Sequence, residues 1–163
     1  MRKVAIVMGS DSDLGTMQKA IDKLRSLHIA FEVRILSAHR TPEACARFSK
    51  GAEENGFGVI IAAAGKAAHL AGAIAANTAL PVIGVPVKSS TLDGLDALLS
   101  TVQMPSGMPV ATVAIDGAEN AAILAAQILA LTDAELSERL KAMRREMTEK
   151  VEAKDRMIRE QFA

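Results

Sequence analysis

The residues of this 163-residue chain best able to do chemistry gather in short polar stretches. Ser37-Ala38-His39-Arg40-Thr41-Pro42 sets an imidazole beside a guanidinium. An imidazole changes its protonation near neutral pH and suits proton transfer. A guanidinium next to a helix start can hold phosphate or carboxylate through paired hydrogen bonds. Such a pair also occurs as plain surface, but two polar residues at a strand end favour a site. Gly9-Ser10-Asp11-Ser12-Asp13 offers hydroxyls, backbone N–H groups and carboxylates. As a site it would seat a small anion at a helix N-terminus through Ser10, with Asp13 accepting bonds from sugar hydroxyls. As plain structure it is a strand-to-helix turn with side-chain capping, and the residues alone leave both readings open. Gly65-Lys66-Ala67-Ala68-His69-Leu70 combines a tight turn, a cation and a second imidazole, although spacing alone favours a capping or core role for His69. The remaining histidine, His28, falls at the end of a helical stretch, where a contact with the helix dipole accounts for it.

Several chemistries are disfavoured. The Gly9–Asp13 stretch lacks the lysine of a P-loop and the later glycines of a dinucleotide fingerprint. No His-x-x-x-His or cysteine pair stands at ligand spacing, and Asp11 with Asp13 does not make a calcium loop, so no metal is expected. Nineteen basic residues balance nineteen acidic ones, which speaks against nucleic acid. The one basic cluster, Lys141, Arg144 and Arg145, is interleaved with Glu138, Glu146 and Glu149 and reads as a solvated helix face. Aromatic residues make up 2%, with no Trp or Tyr, so few faces exist for stacking a base or flavin. The single cysteine, Cys45, permits no internal disulfide and reads as a buried small hydrophobe. Met1-Arg2-Lys3 leads directly into a short apolar run with no secretory leader, and no run is long enough to span a bilayer. A cytoplasmic protein without a membrane partner is expected.

The elements that must position these stretches alternate regularly. Apolar runs predict strands at Val4–Met8, Phe31–Leu36, Val59–Ala63, Val82–Val87 and Val110–Ile115. Helical spacing predicts helices over Leu14–Leu27 with Asp13 as N-cap, from Thr41 as N-cap with Pro42 at the first position to about Asn55, and over His69–Asn77. Further helices are expected over Gly94–Val102, over Ala118–Leu131, and from about Asp133 to the end. Strands of Val and Ile without polar alternation, each followed by a helix, imply right-handed βαβ units and a doubly wound, three-layer α/β fold. In such sheets ligands bind beyond the carboxyl ends of the strands, where the three polar stretches fall. A catalytic α/β domain over 1–131 and a helical extension over 132–163 are expected. Ala118–Leu131 is apolar nearly all round, and the last helix carries one stripe (Leu136, Leu140, Met143, Met147, Val151, Ile158). Both point to subunit contacts.

Met8-Gly-Ser-Asp-Ser-Asp13, Ser37-Ala-His-Arg-Thr-Pro42, Ala64-Gly-Lys-Ala-Ala-His-Leu70, Gly84-Val-Pro86 and Val102-Gln-Met-Pro-Ser-Gly107 closely resemble the class I N5-carboxyaminoimidazole ribonucleotide mutase family. The resemblance runs in order from residue 3 to about 131. It implies a flavodoxin-like fold with a five-stranded parallel sheet, assembled as an octamer with sites at subunit junctions. It also implies interconversion of N5-carboxyaminoimidazole ribonucleotide and 4-carboxy-5-aminoimidazole ribonucleotide without metal, ATP or organic cofactor. By motif, Ser10 and Arg40 would hold the ribotide phosphate, with Asp11 in the same turn, and Asp13 the ribose. His39 would be the general acid/base, Ser37 and His69 would line the site, and the turn at Gly65, with Ala67 and Leu70, would approach the carboxylate. A related class acts on aminoimidazole ribonucleotide and free carbon dioxide; Arg40 and His69 favour the mutase class. Where the family usually reads Gly-Gly-Ala-Ala-His-Leu-Pro, this chain has Lys66 and Ala71. Lys66 counts among the substrate-binding residues by position and puts a cation, which could meet the substrate carboxylate, where a bare backbone is usual; its side chain is expected to face solvent or a neighbouring subunit.

Two other readings fit a flavodoxin-like fold. A non-enzymatic nucleotide-binding or receiver-like signalling module would draw on the acidic residues after the first strand, but it would want an aspartate at the end of the third strand, where this chain has Ala62-Ala63-Ala64-Gly65. A flavin-binding electron carrier would want the missing aromatic faces.

Overall fold

Apolar strands without polar alternation need cover on both faces, and the chain supplies it by winding helices to either side of one sheet. The computed structural model describes residues 2–90 and 92–163. Met1 and Thr91 lie outside the described residues. The order is β1 (Lys3–Met8), α1 (Leu14–Ser26), β2 (Phe31–Ile35), α2 (Pro42–Gly51), β3 (Phe57–Ala64), α3 (Leu70–Ala75), β4 (Val82–Pro86), α4 (Leu95–Val102), β5 (Ala111–Thr112), α5 (Ala118–Ala130) and α6 (Ala134–Gln161). The five strands are parallel in the order β2-β1-β3-β4-β5. This is the flavodoxin-like winding, in which the strand order reverses between β1 and β3.

Alternate strand residues feed two cores. Val4, Ile6, Met8, Val59, Ile61, Ile83 and Val85 meet α1 and α5 on one face. Ala5, Val7, Ile60, Ala62 and Val82 meet α2 and α3 on the other. Ala121, Ala122, Ala125 and Ala126 are fully buried, so α5 lies close against the sheet and α1. Lys23 of α1 and Glu119 of α5 pair at 2.9 Å across that contact.

Several boundaries differ from the sequence reading, each for a physical reason. β2 is an edge strand whose Ile35 is 56% exposed, so it does not share the two-sided cover of the inner strands. β5 is only two residues long. Its chain continues beside β4 through single bonds, Val113 N–H to Gly84 O and Asp116 N–H to Pro86 O, and turns away at Asp116, whose φ is 56°. α2 ends at Gly51, and turns carry the chain to Gly56, whose φ of 82° suits glycine. α3 is short because Asn77 turns its side-chain amide onto the Ala73 carbonyl at 2.9 Å. His28 takes the left-handed conformation (φ 55°) that closes α1.

α5 needs no second subunit to cover its buried face, since α1, α6 and the sheet do so. α6 is different. Asp133 caps it, accepting from Leu136 N–H at 2.9 Å, and Leu136 is fully buried. Beyond Met143 every residue is exposed, with Met147, Val151, Met157 and Ile158 bare. No helix among the described residues is long and apolar enough to cross a membrane.

Candidate active site

The connections leaving β1 and β3 depart to opposite faces, so a crevice opens at the carboxyl ends of these strands. A cavity of about 560 Å³ occupies it, lined by the loops after β1, β2, β3 and β4.

The β1 loop brings hydroxyls and one carboxylate. Ser10 caps a single 3₁₀ turn over Asp11–Asp13, its Oγ accepting from Ser12 N–H at 3.3 Å and from the Ser12 hydroxyl at 3.0 Å. Asp13 therefore makes no side-chain cap at α1, contrary to the sequence reading. Its carboxylate lines the cavity at 9% residue exposure. Burial pushes the Asp13 carboxyl above its ordinary range, opposed by bonds from the Ser10 backbone and the Ser12 hydroxyl and reinforced by the charge of Asp11. Asp11 itself is exposed and outside the cavity lining.

The β2 loop is braced from within. Ser37 Oγ accepts from Arg40 N–H at 3.1 Å. Thr41 Oγ1 accepts from Ser37 N–H at 3.0 Å and donates to Ser37 O at 3.1 Å, so it ties the loop and does not cap α2. Arg40 Nη2 donates to Gly9 O at 3.1 Å, which locks the β2 loop to the β1 loop and fixes the guanidinium at the cavity wall. His39 also lines the cavity, and its Nε2 lies 2.9 Å from His69 Nδ1. The rings meet edge to face, 5.0 Å between centroids. One nitrogen donates and the other accepts, so the tautomers of the two imidazoles are linked. The capping or core role favoured for His69 by spacing does not hold. It occupies the N-cap position of α3 without a side-chain cap bond, and its exposed ring is committed to His39. His69 touches the cavity through His39 and is not part of the lining.

The β3 loop runs close to β4. A Cβ on Gly65 would lie 3.3 Å from Val87 O, so a bare backbone lets the two loops pass. Gly65, Lys66, Ala67 and Leu70 all line the cavity. Lys66 is exposed and lies on the cavity wall. The sequence reading missed Ser12 and the β4 loop residues Lys88 and Ser89, which complete the lining. The rule that located the other loops, the carboxyl end of a parallel strand, would have found Lys88 and Ser89. Asp116 holds the loop, accepting from Lys88 N–H at 2.9 Å, while Lys88 Nζ pairs with Asp93 at 3.1 Å.

Three cationic side chains, Arg40, Lys66 and Lys88, thus face the cavity against the one carboxylate of Asp13. Such a wall suits an anionic small molecule, and the linked histidines can give it a proton or take one away. Among the described residues no three His, Cys, Asp or Glu side chains gather as metal ligands. Cys45 lies buried in the α2–α3 core, where burial pushes its thiol up against the opposing bond from Ser49.

A family model described as AIR carboxylase matches residues 3–150. An N5-carboxyaminoimidazole ribonucleotide mutase of Pyrococcus horikoshii is 55% identical over 157 residues, covering 96% of this chain and 89% of its own. The enzyme of that name from Escherichia coli is 56% identical over 151 residues, covering 91% of this chain and 89% of its own. The crystal structure of Treponema denticola PurE superposes with a TM-score of 0.86 at 33% identity, covering 93% of this chain and 95% of that one. Family model, relatives and solved fold agree over nearly the whole length, and the chain belongs to the AIR carboxylase family.

Proposed function

We propose that this protein is an N5-carboxyaminoimidazole ribonucleotide mutase of purine biosynthesis, an isomerase that moves a carboxylate from the exocyclic nitrogen to the ring carbon of one ribonucleotide. The observation that carries the reading is the His39–His69 pair, 2.9 Å apart at the wall of a cationic cavity. Membership of the family and the names of the relatives support the same reaction.

Ser10 and Arg40 take the phosphate, where hydroxyl and guanidinium stand together, and Asp13 accepts from the ribose hydroxyls. Ser37 holds Arg40 in place. The Gly65–Ala67 turn and Leu70 close on the base and its carboxylate. His39 then acts twice. As an acid it protonates the carbamate nitrogen, the N–C bond breaks with its electron pair left on nitrogen, and carbon dioxide is released inside the cavity. The electron-rich ring carbon attacks that carbon dioxide, forming the new C–C bond. His39, now neutral, removes the displaced ring proton and is restored. His69 accepts from His39 when His39 is charged and so keeps its ring aimed through both steps. Nothing in this sequence of steps calls for a metal or an organic cofactor.

The protein works in the cytoplasm as a homo-oligomer, an octamer by the family resemblance, with 1–131 as the catalytic domain and 132–163 as an extension for subunit contact. The bare apolar stripe of α6 supports that role.

Purified protein given N5-carboxyaminoimidazole ribonucleotide without ATP or metal is expected to form 4-carboxy-5-aminoimidazole ribonucleotide. Inertness toward that substrate, with turnover of aminoimidazole ribonucleotide and bicarbonate instead, would place it in the carboxylase class.

A further inference from the structure

The cavity holds one cation more than its fixed contacts use. Arg40 is tied to Gly9 O and Ser37, at the β2 and β1 side. Lys88 is neutralised by Asp93. Lys66 lines the same cavity and, among the described residues, its ammonium has no hydrogen bond or ion pair. An exposed lysine without a partner is ordinary on a convex surface. Inside a concave site it is a charge waiting for a ligand group.

The sheet order says which group. Lys66 follows β3, two strands across from β2, and neighbouring strands are spaced about 4.8 Å apart. The Lys66 loop therefore begins about 10 Å from the loop that carries Arg40. A ribonucleotide with its phosphate at Ser10 and Arg40 extends its base across that distance. The substituent borne by the base then arrives at Lys66. For the reaction proposed above, that substituent is a carboxylate before and after the transfer.

We propose that Lys66 is the residue that recognises the substrate carboxylate and makes this site select carboxylated ribonucleotides over the uncarboxylated one. The inference rests on the mutase reading. An ammonium that meets the carboxylate of substrate and product lowers KM but does not raise kcat, because its attraction weakens as the charge is lost to carbon dioxide. It also disfavours exchange of the carboxylated nucleotide for its decarboxylated form. Lysine acts here as a point charge on a flexible stem, so it reaches the carboxylate on nitrogen or on carbon without moving the backbone.

Titration calorimetry on the full-length protein separates the possibilities. The ligands are 4-carboxy-5-aminoimidazole ribonucleotide and 5-aminoimidazole ribonucleotide, which differ only in the carboxylate, and the variants are Lys66→Met and Lys66→Arg. Lys66→Met keeps the apolar stem and is expected to weaken the carboxylated ligand about tenfold, equivalent to about 1.4 kcal/mol, while the uncarboxylated one changes less than twofold. In Lys66→Met KM is expected to rise with no fall in kcat, and Lys66→Arg is expected to restore most of the lost affinity. Equal loss for both ligands would assign Lys66 to the phosphate or to loop structure, and no loss for either would leave it facing solvent. Either result overturns the proposal while a wild-type protein that still converts its substrate preserves the mutase reading. A wild-type protein that neither binds nor converts these ribonucleotides sinks both.

Discussion

Asp13 shows what the site costs. Its carboxyl is pushed up mainly by burial, so at neutral pH the folded chain carries a charge it holds less comfortably than the unfolded chain does. As pH rises, the unfolded chain gives up its proton first, and stability falls until both states are ionised. Asp13→Asn removes the charge and is expected to raise the melting temperature of the ligand-free protein at pH 7, with the gain shrinking as pH falls through the carboxylate range. A lower melting temperature at pH 7 would mean that the bonds from Ser10 and Ser12 outweigh burial. The same change is expected to weaken ribonucleotide binding, the common trade between stability and function. Ser10, Asp13, His39 and Arg40 were legible in the sequence because each follows an apolar run at the place where a parallel strand ends. His69 was placed at the site by the family resemblance and not by spacing, because its partner His39 stands 30 positions away and no local spacing encodes that contact. Asp11 shares a motif with Ser10 and Asp13, yet in a 3₁₀ turn successive side chains point apart, and it falls outside the lining.

The inner strands were read closely because β1, β3 and β4 are buried on both faces and their apolar runs are unbroken. The edges were read less well. β2 alternates Glu32 and Arg34 with apolar residues, and β5 pairs through only two residues, since an edge strand has one neighbour to hold it. Gly84 marks where the inner sheet is tightest: a Cβ there would run into the Thr101 methyl of α4 and approach Val110 Cγ1 at 3.0 Å. Gly84→Ala overpacks this contact and is expected to lower stability by about 1–3 kcal/mol in urea unfolding. An unchanged midpoint would mean that α4 does not press on β4 as described. Because β4 carries the Val87–Ser89 loop into the cavity, the same variant is expected to loosen the site.

Over the molecule as a whole, α6 is the part least explained by a single chain. Its first turns are anchored by Asp133 and Leu136, and the rest of its 28 residues leave the body with an uncovered apolar stripe. Paired changes Val151→Glu and Ile158→Glu put charges on the stripe without touching the anchored turns. Light scattering is expected to show a smaller assembly than wild type, and an unchanged mass would place the subunit contacts elsewhere. The sequence periodicity exposed this stripe and that of α5, whose buried alanines are covered by α1, α6 and the sheet of its own chain while Ile123, Leu124 and Ile128 stay half-buried. Periodicity reports that a face is apolar and cannot say which neighbour covers it. The proton transfer by His39 is tested most directly by His39→Asn, with turnover of N5-carboxyaminoimidazole ribonucleotide and the Kd of its product measured on the same folded preparation. Loss of a general acid/base predicts a fall in kcat of about 10²–10⁴ with Kd within about threefold of wild type. Turnover within threefold of wild type would contradict it.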